Sequence, residues 1–276
     1  MTESTEHRLG PQHLAGCVAL SRAASWNQNE ADWRLMLELG HGWGFSLADG
    51  TLVASTLVIS FGSFAWVSMV LVLPEHRRMG YASRLLRVAI ADLEIRGLTP
   101  ILDATPAGRE VYRHEGFRDC WGFSRLELKL PAHREKEPGV RVLRESDWAW
   151  ILELDALAFG ASRERLLRAL ARRLTGAALV IEDKGFLLGR DGREARQLGP
   201  LVARDEQTAM KLLSHALALI APPVYLDVVA RAPALREWLE ARGFWFQRPF
   251  TRMVRGLEAA PGDENLVFLV AGPELG

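Results

Sequence analysis

Cysteine is scarce. Cys17 and Cys120 are the only two in 276 residues, and no CxxC pair or nearby cluster of ligating residues accompanies them. A disulfide framework is therefore not expected, and no metal site is expected either. Net charge is missing too, because Lys plus Arg number 34 and Asp plus Glu also number 34. A general nucleic-acid binder carries a basic excess, so no nucleic-acid partner is expected; a local basic pocket for a small anion stays open. No apolar run reaches the roughly 18 residues of a membrane span. The opening MTESTEHRLG lacks the apolar centre of a secretory signal. No membrane partner is expected, and the expected location is cytoplasmic. The chain also lacks low-complexity tracts and a GxxxxGK[ST] loop, which sets aside a P-loop phosphotransferase.

What is present is a normal globular balance, 49% hydrophobic and 25% charged residues, in a length that suits one large domain or two ordinary ones. The stretch PAHREKEPGV, residues 131–140, is charged and bracketed by Pro131 and Pro138. It divides the chain into residues 1–130, a linker at 131–138 and residues 139–276. The two parts match each other. REVYRHEGF (Arg109 to Phe117) aligns with REWLEARGF (Arg236 to Phe244), and ILDAT (Ile101 to Thr105) aligns with YLDVV (Tyr225 to Val229). Upstream, SRLLRVAIADL resembles MKLLSHALALI. The shared order and spacing imply a duplication.

Periodicity then gives the elements of the first part. Residues 10–25 read as a helix, and NEADWRLMLELG reads as a second helix capped by Asn29. Two strands meet at an Asp49-Gly50 hairpin turn, and AWVSMVLVL continues the sheet. In YASRLLRVAIADL, Leu85, Leu86, Ala89, Ile90 and Leu93 share one helical face. A strand through LTPILDAT, a short helix ending at Gly116 and a last strand, CWGFSRLELKL, follow. The fold class is α/β with a mixed sheet and helices packed on it.

The stretch LPEHRRMGYASRLL, residues 73–86, carries the chemistry. A helix that starts near Gly80 has backbone N–H groups without internal partners, and an anion is stabilised there. Gly80 allows close approach, Ala82 is small, and Arg77 and Arg78 add charge. This suits a pyrophosphate. Arg77-Arg78-Met79-Gly80-Tyr81-Ala82 resembles the Arg/Gln-x-x-Gly-x-Gly/Ala signature of the GCN5-related N-acetyltransferase (GNAT) superfamily, in the same strand-to-helix setting. The pattern extends over most of residues 5–130. The second part is similar to the GNAT-like C-terminal domain of some two-domain bacterial members, notably in RPFTRMVRG and the closing AGPELG.

The resemblance implies tandem GNAT folds, each with a mostly antiparallel central sheet flanked by helices. It also implies acetyl-CoA as cosubstrate and a small-molecule or peptide amine as acceptor. The loop Arg77 to Ala82 would hold the pyrophosphate, and Leu71, Val72 and Leu73 would splay from their neighbour to pair with the pantetheine. The Val72 N–H would polarise the thioester carbonyl, and Tyr112 would hydrogen-bond the departing sulfur. Thr105 stands where the family often has asparagine, and it can cap the following helix. Trp26, Asn27 and Trp33 would line the acceptor pocket. Asp103, Glu38 and His41 are open as bases for the amine's proton. Direct attack needs no cysteine.

In the second part, the aligned stretch is GPLVARDEQTAMKLL, with Gln207 at the place of Gly80, Asp205 and Glu206 at those of Arg78 and Met79, and Leu239 at that of Tyr112. Two carboxylates would repel a pyrophosphate, so this half is not expected to bind CoA. Its expected role is to pack against the first half and close one side of the acceptor site. A non-catalytic acyl-CoA-binding sensor is the alternative to an enzyme.

Overall fold

The computed structural model describes residues 4–131 and 136–276. Residues 132–135, inside the expected linker, lie outside the described residues. The first half runs β1 (Ser4–Arg8), α1 (Leu14–Ala23), α2 (Glu30–Leu39), β2 (Gly40–Leu47), β3 (Leu52–Phe61), β4 (Phe64–Val72), α3 (Tyr81–Ile95), β5 (Thr99–Ala104), α4 (Pro106–His114) and β6 (Arg118–Leu128). The second runs β7 (Arg141–Val142), α5 (Trp148–Phe159), α6 (Glu164–Arg173), β8 (Leu179–Ile181), β9 (Gly185–Arg190), β10 (Arg196–Ala203), α7 (Glu206–Leu219), β11 (Val224–Val229), α8 (Pro233–Glu240) and β12 (Trp245–Val254). One further strand, β13 (Val267–Leu269), has no counterpart among the described residues of the first half. Apart from β13, the order of elements is the same twice.

Local chemistry explains the boundaries. Asn29 Oδ1 accepts from the Asp32 amide at 3.1 Å and Asp32 accepts from the Asn29 amide at 2.9 Å, a reciprocal cap on α2. The β2–β3 turn carries Gly50 at φ 86°, and Asp49 accepts from the Thr51 amide at 2.9 Å. On α3, Leu85, Leu86, Ala89, Ile90 and Leu93 are buried, as their spacing requires. Fully burying a leucine contributes about 1.5–3 kcal/mol. The Arg87–Glu115 pair is screened by solvent and contributes little, so burial sets the rotation of α3. The equivalent turns after α4 and α8 close identically. Phe117 N donates to Tyr112 O at 3.0 Å and Phe244 N to Leu239 O at 3.2 Å, with Gly116 and Gly243 at φ 87° and 88°.

The fold class is as expected, α/β with a mostly antiparallel sheet, but the two halves share one sheet. Its order is β1-β2-β3-β4-β5-β12-β6-β11-β13-β10-β9-β8-β7, with a further β10–β11 pairing. The last strands have exchanged places: β12 lies against β5 of the first half, and β6 lies against β11 of the second. Between them β6 and β12 pair antiparallel with Phe123 opposite Phe250, whose rings stack 5.0 Å apart at 13°. These two phenylalanines occupy equivalent places in the repeat, so a local two-fold relation passes between them. Met253 of β12 is buried with Tyr81, Leu85 and Leu102 in the core under α3. No helix among the described residues is long and apolar enough to cross a membrane.

Candidate active site

β4 and β5 run parallel, as a crossover through α3 allows. They pair only at Phe64–Trp66 with Thr99–Ile101. From Val67 onward β4 turns away, and its edge toward β5 faces a splay. The divergence coincides with a bulge. The β3–β4 register shifts between Ser55 and Leu57, and Met69 takes φ 52°. A non-glycine residue there is strained and needs support. Ser55 Oγ supplies it by donating to the Met69 carbonyl at 2.8 Å.

At the far end of the splay lies the basic turn. Arg78 and Gly80 have φ 63° and 83°, and Gly80 is the N-cap of α3 with no side chain capping the helix. A Cβ built on Gly80 meets nothing within 4 Å. Arg77, Arg78 and Met79 are exposed, and Arg77 Nε donates to the Val72 carbonyl at 3.3 Å. Tyr81 instead turns into the core, its hydroxyl donating to Ser4 Oγ at 3.0 Å. The turn thus offers open space, uncapped helix amides and two guanidinium groups, a donor set that fits a pyrophosphate.

At the other end of the splay is a small cleft. Trp26, Asp103, Thr105 and Tyr112 all line it, so four residues separated in the chain come together. Thr105 Oγ1 accepts from the Gly108 amide at 3.2 Å and so caps α4, which carries Tyr112. Burial pushes the Tyr112 hydroxyl up to about 12, so it stays protonated and can donate at neutral pH.

Other expectations are corrected. Asn27 does not face the cleft. Its amide accepts from the Glu194 and Ala195 amides at 2.8 and 3.0 Å and donates to the Ala195 carbonyl at 3.0 Å, fastening the second half to the first. Trp33 is fully buried and donates to Ser21 Oγ at 2.9 Å, a core residue. The cleft meets β4 at Val67, Ser68, Met69 and Val70 rather than at Leu71, Val72 and Leu73, which lie nearer the basic turn. Glu38 and His41 line a separate depression with Pro11 and Arg34, and His41 Nε2 is 3.0 Å from Asp92.

Asp103 is in the cleft wall but is engaged. Arg252 of β12 donates to both its oxygens at 2.9 and 3.0 Å. Burial pushes the Asp103 carboxyl above the usual carboxylate range, against the pull of Arg252. The repeat has a mirror of this pair. Asp227, aligned with Asp103, accepts from Arg125 of β6 at 2.8 and 2.7 Å, and Arg125 is aligned with Arg252. In each half, then, a buried aspartate is held by an arginine on the strand received from the other half.

Reasoning on sequence missed Gln28, Ser68, Arg125, Arg248, Phe250 and Glu274, which complete the cleft wall. Ser68 was visible as a lone polar residue inside AWVSMVLVL. Arg125, Arg248 and Phe250 depend on the strand exchange, which leaves no trace in local pattern.

The second half shows the same plan filled in. β10 and β11 run parallel at Arg196–Leu198 with Val224–Leu226, and then diverge as β4 and β5 do. Into that divergence runs β13, pairing with β10 at Leu201 and Val202 and with β11 at Val228. The N-cap of α7 is Asp205, whose carboxylate accepts from the Thr208 amide at 2.7 Å. Glu206 accepts from the Leu235 amide at 2.8 Å. The buried faces of the two helices, Leu85, Leu86 and Ala89 on α3 and Leu212, Leu213 and Ala216 on α7, keep Gln207 in register with Gly80, so α7 begins two residues earlier and takes Asp205 as its cap.

Two family models match the chain. One, described as an acetyltransferase (GNAT) family, covers residues 13–117, and one described as an acetyltransferase (GNAT) domain covers residues 151–269. The Bacillus subtilis strain 168 protein named "Uncharacterized N-acetyltransferase YitH" is 23% identical over 251 residues, 86% of each chain. A crystal structure from Pyrococcus horikoshii, of a chain assigned to the acetyltransferases, superposes with a TM-score of 0.85 at 23% identity over 99% of this chain and 96% of that one. A GCN5-related N-acetyltransferase from Sphaerobacter thermophilus gives a TM-score of 0.65 at 16% identity, covering 95% and 97%. These structures share the fold.

Proposed function

The chain belongs to the GNAT superfamily as a tandem of two of its domains, and we propose that its first half transfers an acetyl group from acetyl-CoA to a primary amine. The observation that carries this reading is the open splay between β4 and β5, with the uncapped start of α3 at one end and Tyr112 at the other. Acetyl-CoA, when bound, supplies an acyl thioester with a thiol leaving group. The chain's own residues do the rest.

The amides around Gly80 and the side chains of Arg77 and Arg78 hold the pyrophosphate, and the side of Leu71, Val72 and Leu73 turned away from β3 pairs with the pantetheine, Arg77 giving up the Val72 carbonyl. Backbone N–H groups of the bulge at Met69 and Val70 polarise the acyl oxygen in this reading, which is supported by both residues lining the cleft where Val72 does not. Tyr112 donates to the sulfur. Its raised pKa keeps the proton on oxygen, so it stabilises the thiolate by hydrogen bonding rather than by full transfer. Cys17 lies in the core with its thiol pushed up to about 12, so it is no nucleophile, in keeping with direct attack by the amine in a ternary complex.

The second half has no free place for a CoA. It contributes Arg248, Phe250 and Glu274 to the acceptor cleft instead. One observation favours the rival reading of an acyl-CoA sensor without turnover, namely that Asp103, a carboxylate in the cleft wall, is already bound by Arg252. Calorimetric titration of the full-length protein with acetyl-CoA tests the proposal. One site per chain, followed by thiol release on adding amines, is the expected result. Binding without thiol release from any amine would favour the sensor, and no binding would overturn both readings.

A further inference from the structure

Three buried side chains in the wall of the acceptor cleft have polar atoms without a partner. Gln28 and Glu274 are 2% and 1% exposed and Ser68 is 6% exposed. Gln28 Oε1, Ser68 Oγ and Glu274 Oε2 make no hydrogen bond among the described residues. A buried acceptor left empty costs about 1–3 kcal/mol, more when it is charged, so three in one wall mark a place built for a donor. They come from distant parts of the chain. Gln28 precedes α2, Ser68 lies beside the bulge of β4, and Glu274 lies near the end of the second half.

Glu274 is held in position. Its Oε1 accepts from Arg190, which also pairs with Asp32 at 2.8 Å. The adjoining Pro273 carbonyl accepts from Trp66 Nε1 at 3.0 Å, and a turn closes through Gly276 N to Gly272 O at 3.0 Å. The free oxygen is thus fixed by its neighbours on both sides. An alkylammonium has three N–H donors, which equals the number of unpartnered oxygens carried by these three wall residues.

The same cleft holds the opposite feature. Arg248 lies across from Arg125 in the β6–β12 ladder, and its Nε donates to Gln247 Oε1 at 3.1 Å. Among the described residues it has no carboxylate partner. Arg125 already gives both arms of its fork to Asp227. Burial and the Arg125 charge disfavour the Arg248 cation, and an anion beside it would relieve both. A guanidinium fork matches a carboxylate in two parallel hydrogen bonds.

We infer that the acceptor is a small amino acid, with its ammonium received by Glu274, Gln28 and Ser68 and its carboxylate received by Arg248. The inference rests on the acetyltransferase reading and gives that reading its substrate class. It also gives the second half a part in the acceptor site, because Glu274 and Arg248 both come from it.

The test is turnover by the full-length protein with acetyl-CoA against matched pairs. The panel is the standard amino acids, β-alanine and 4-aminobutanoate, each beside its carboxamide or its decarboxylated amine. The best amino acid should exceed its uncharged partner by roughly 10- to 100-fold in kcat/KM, the value of one charge-assisted interaction. Arg248→Met should bring that ratio close to one while leaving acetyl-CoA affinity unchanged. Gln28→Met and Ser68→Ala should raise KM for the amino acid without moving the thermal midpoint much. They are the safer probes, because Glu274→Gln also disturbs Arg190. Equal use of the uncharged amines, an unchanged ratio in Arg248→Met, or turnover of none of the panel would overturn the inference. In each of these cases calorimetric binding of acetyl-CoA would leave the broader reading standing. Loss of acetyl-CoA binding in the parent protein would remove that reading and this inference together.

Discussion

In the first half the edge of β4 beyond Trp66 faces an open splay, while in the second half the matching edge of β10 beyond Leu198 is paired with β13. At the helix that follows, Gly80 leaves the start of α3 uncapped, whereas Asp205 caps α7 with its own carboxylate. The two sites share a fold, an element order and even the closing turn after the next helix. They differ in whether the backbone donors are already satisfied. An anion or an extended chain can be held only where N–H groups still lack partners. The second half has met that demand from within, through Asp205, Glu206 and the backbone of β13. Repulsion by carboxylates, expected from sequence, is the smaller part of the account; occupation is the larger.

What the halves still share is the buried aspartate–arginine pair, and breaking it should give the largest effect. Arg252→Met leaves Asp103 buried and unpaired, and Arg125→Met does the same to Asp227. Each should lose about 3–5 kcal/mol in urea unfolding, the cost of leaving one charge of a buried pair. Restoring an apolar neighbour with Asp103→Leu in the Arg252→Met background should recover most of it. If one arginine costs less than about 1 kcal/mol, the two pairs do not play matching roles.

Gly80→Glu separates the halves next. It puts a carboxylate and a side chain over the uncapped amides, at a φ of 83° that disfavours any residue with a Cβ. Loss of two charge-assisted hydrogen bonds should weaken acetyl-CoA binding by roughly 10²- to 10³-fold in calorimetry. Unchanged affinity would falsify the loop assignment.

These two tests probe features with different legibility. The loop, the cap at Asn29, the apolar face of α3 and the duplication are local, and a sequence window contains all the physics that sets them. Tyr112 and Thr105 were named from the positions the family pattern occupies, Trp26 from its place beside the early helices and Asp103 from the end of a strand, and all four line one cleft. Trp33 and Asn27 were misplaced because a tryptophan or an asparagine near a site looks the same in sequence whether it lines a cleft or fastens two halves. The exchange of β6 and β12 was invisible for a deeper reason. Each strand carries the same alternation against either neighbour, so pattern does not choose between them. Arg248 and Phe250 reach the cleft only through that choice.

Tyr112 distinguishes the halves by chemistry rather than by binding, since Leu239 holds its place in the second. Tyr112→Phe should lower kcat by up to about 10²-fold, with acetyl-CoA affinity unchanged. Its pH dependence has a defined sign. With the hydroxyl pushed up to about 12, the donor is protonated throughout the usual assay range, so Tyr112 imposes no alkaline loss below that value. The rising limb of kcat/KM belongs to the acceptor, whose ammonium must lose a proton from a pKa near 10.4. The Phe variant should therefore run parallel to the parent below about pH 11. A variant that gained or lost a limb would mean that Tyr112 titrates in the reaction.

The smallest effect is the most informative about how the second site closed. Asp205→Ala removes the α7 cap and should cost about 1 kcal/mol of stability, read as a lower thermal midpoint. It also frees the Thr208 amide and removes a carboxylate, which brings the start of α7 closer to that of α3. If charge alone had closed the site, a second acetyl-CoA should then bind. The pairing of β13 with Leu201, Val202 and Val228 argues otherwise, because the strand edge that would take the pantetheine is still used. The stoichiometry should remain one per chain. A rise to two would show that β13 yields easily and that Asp205 was the barrier. A constant value, together with the lower midpoint, would assign Asp205 to the helix and the closure to the strand.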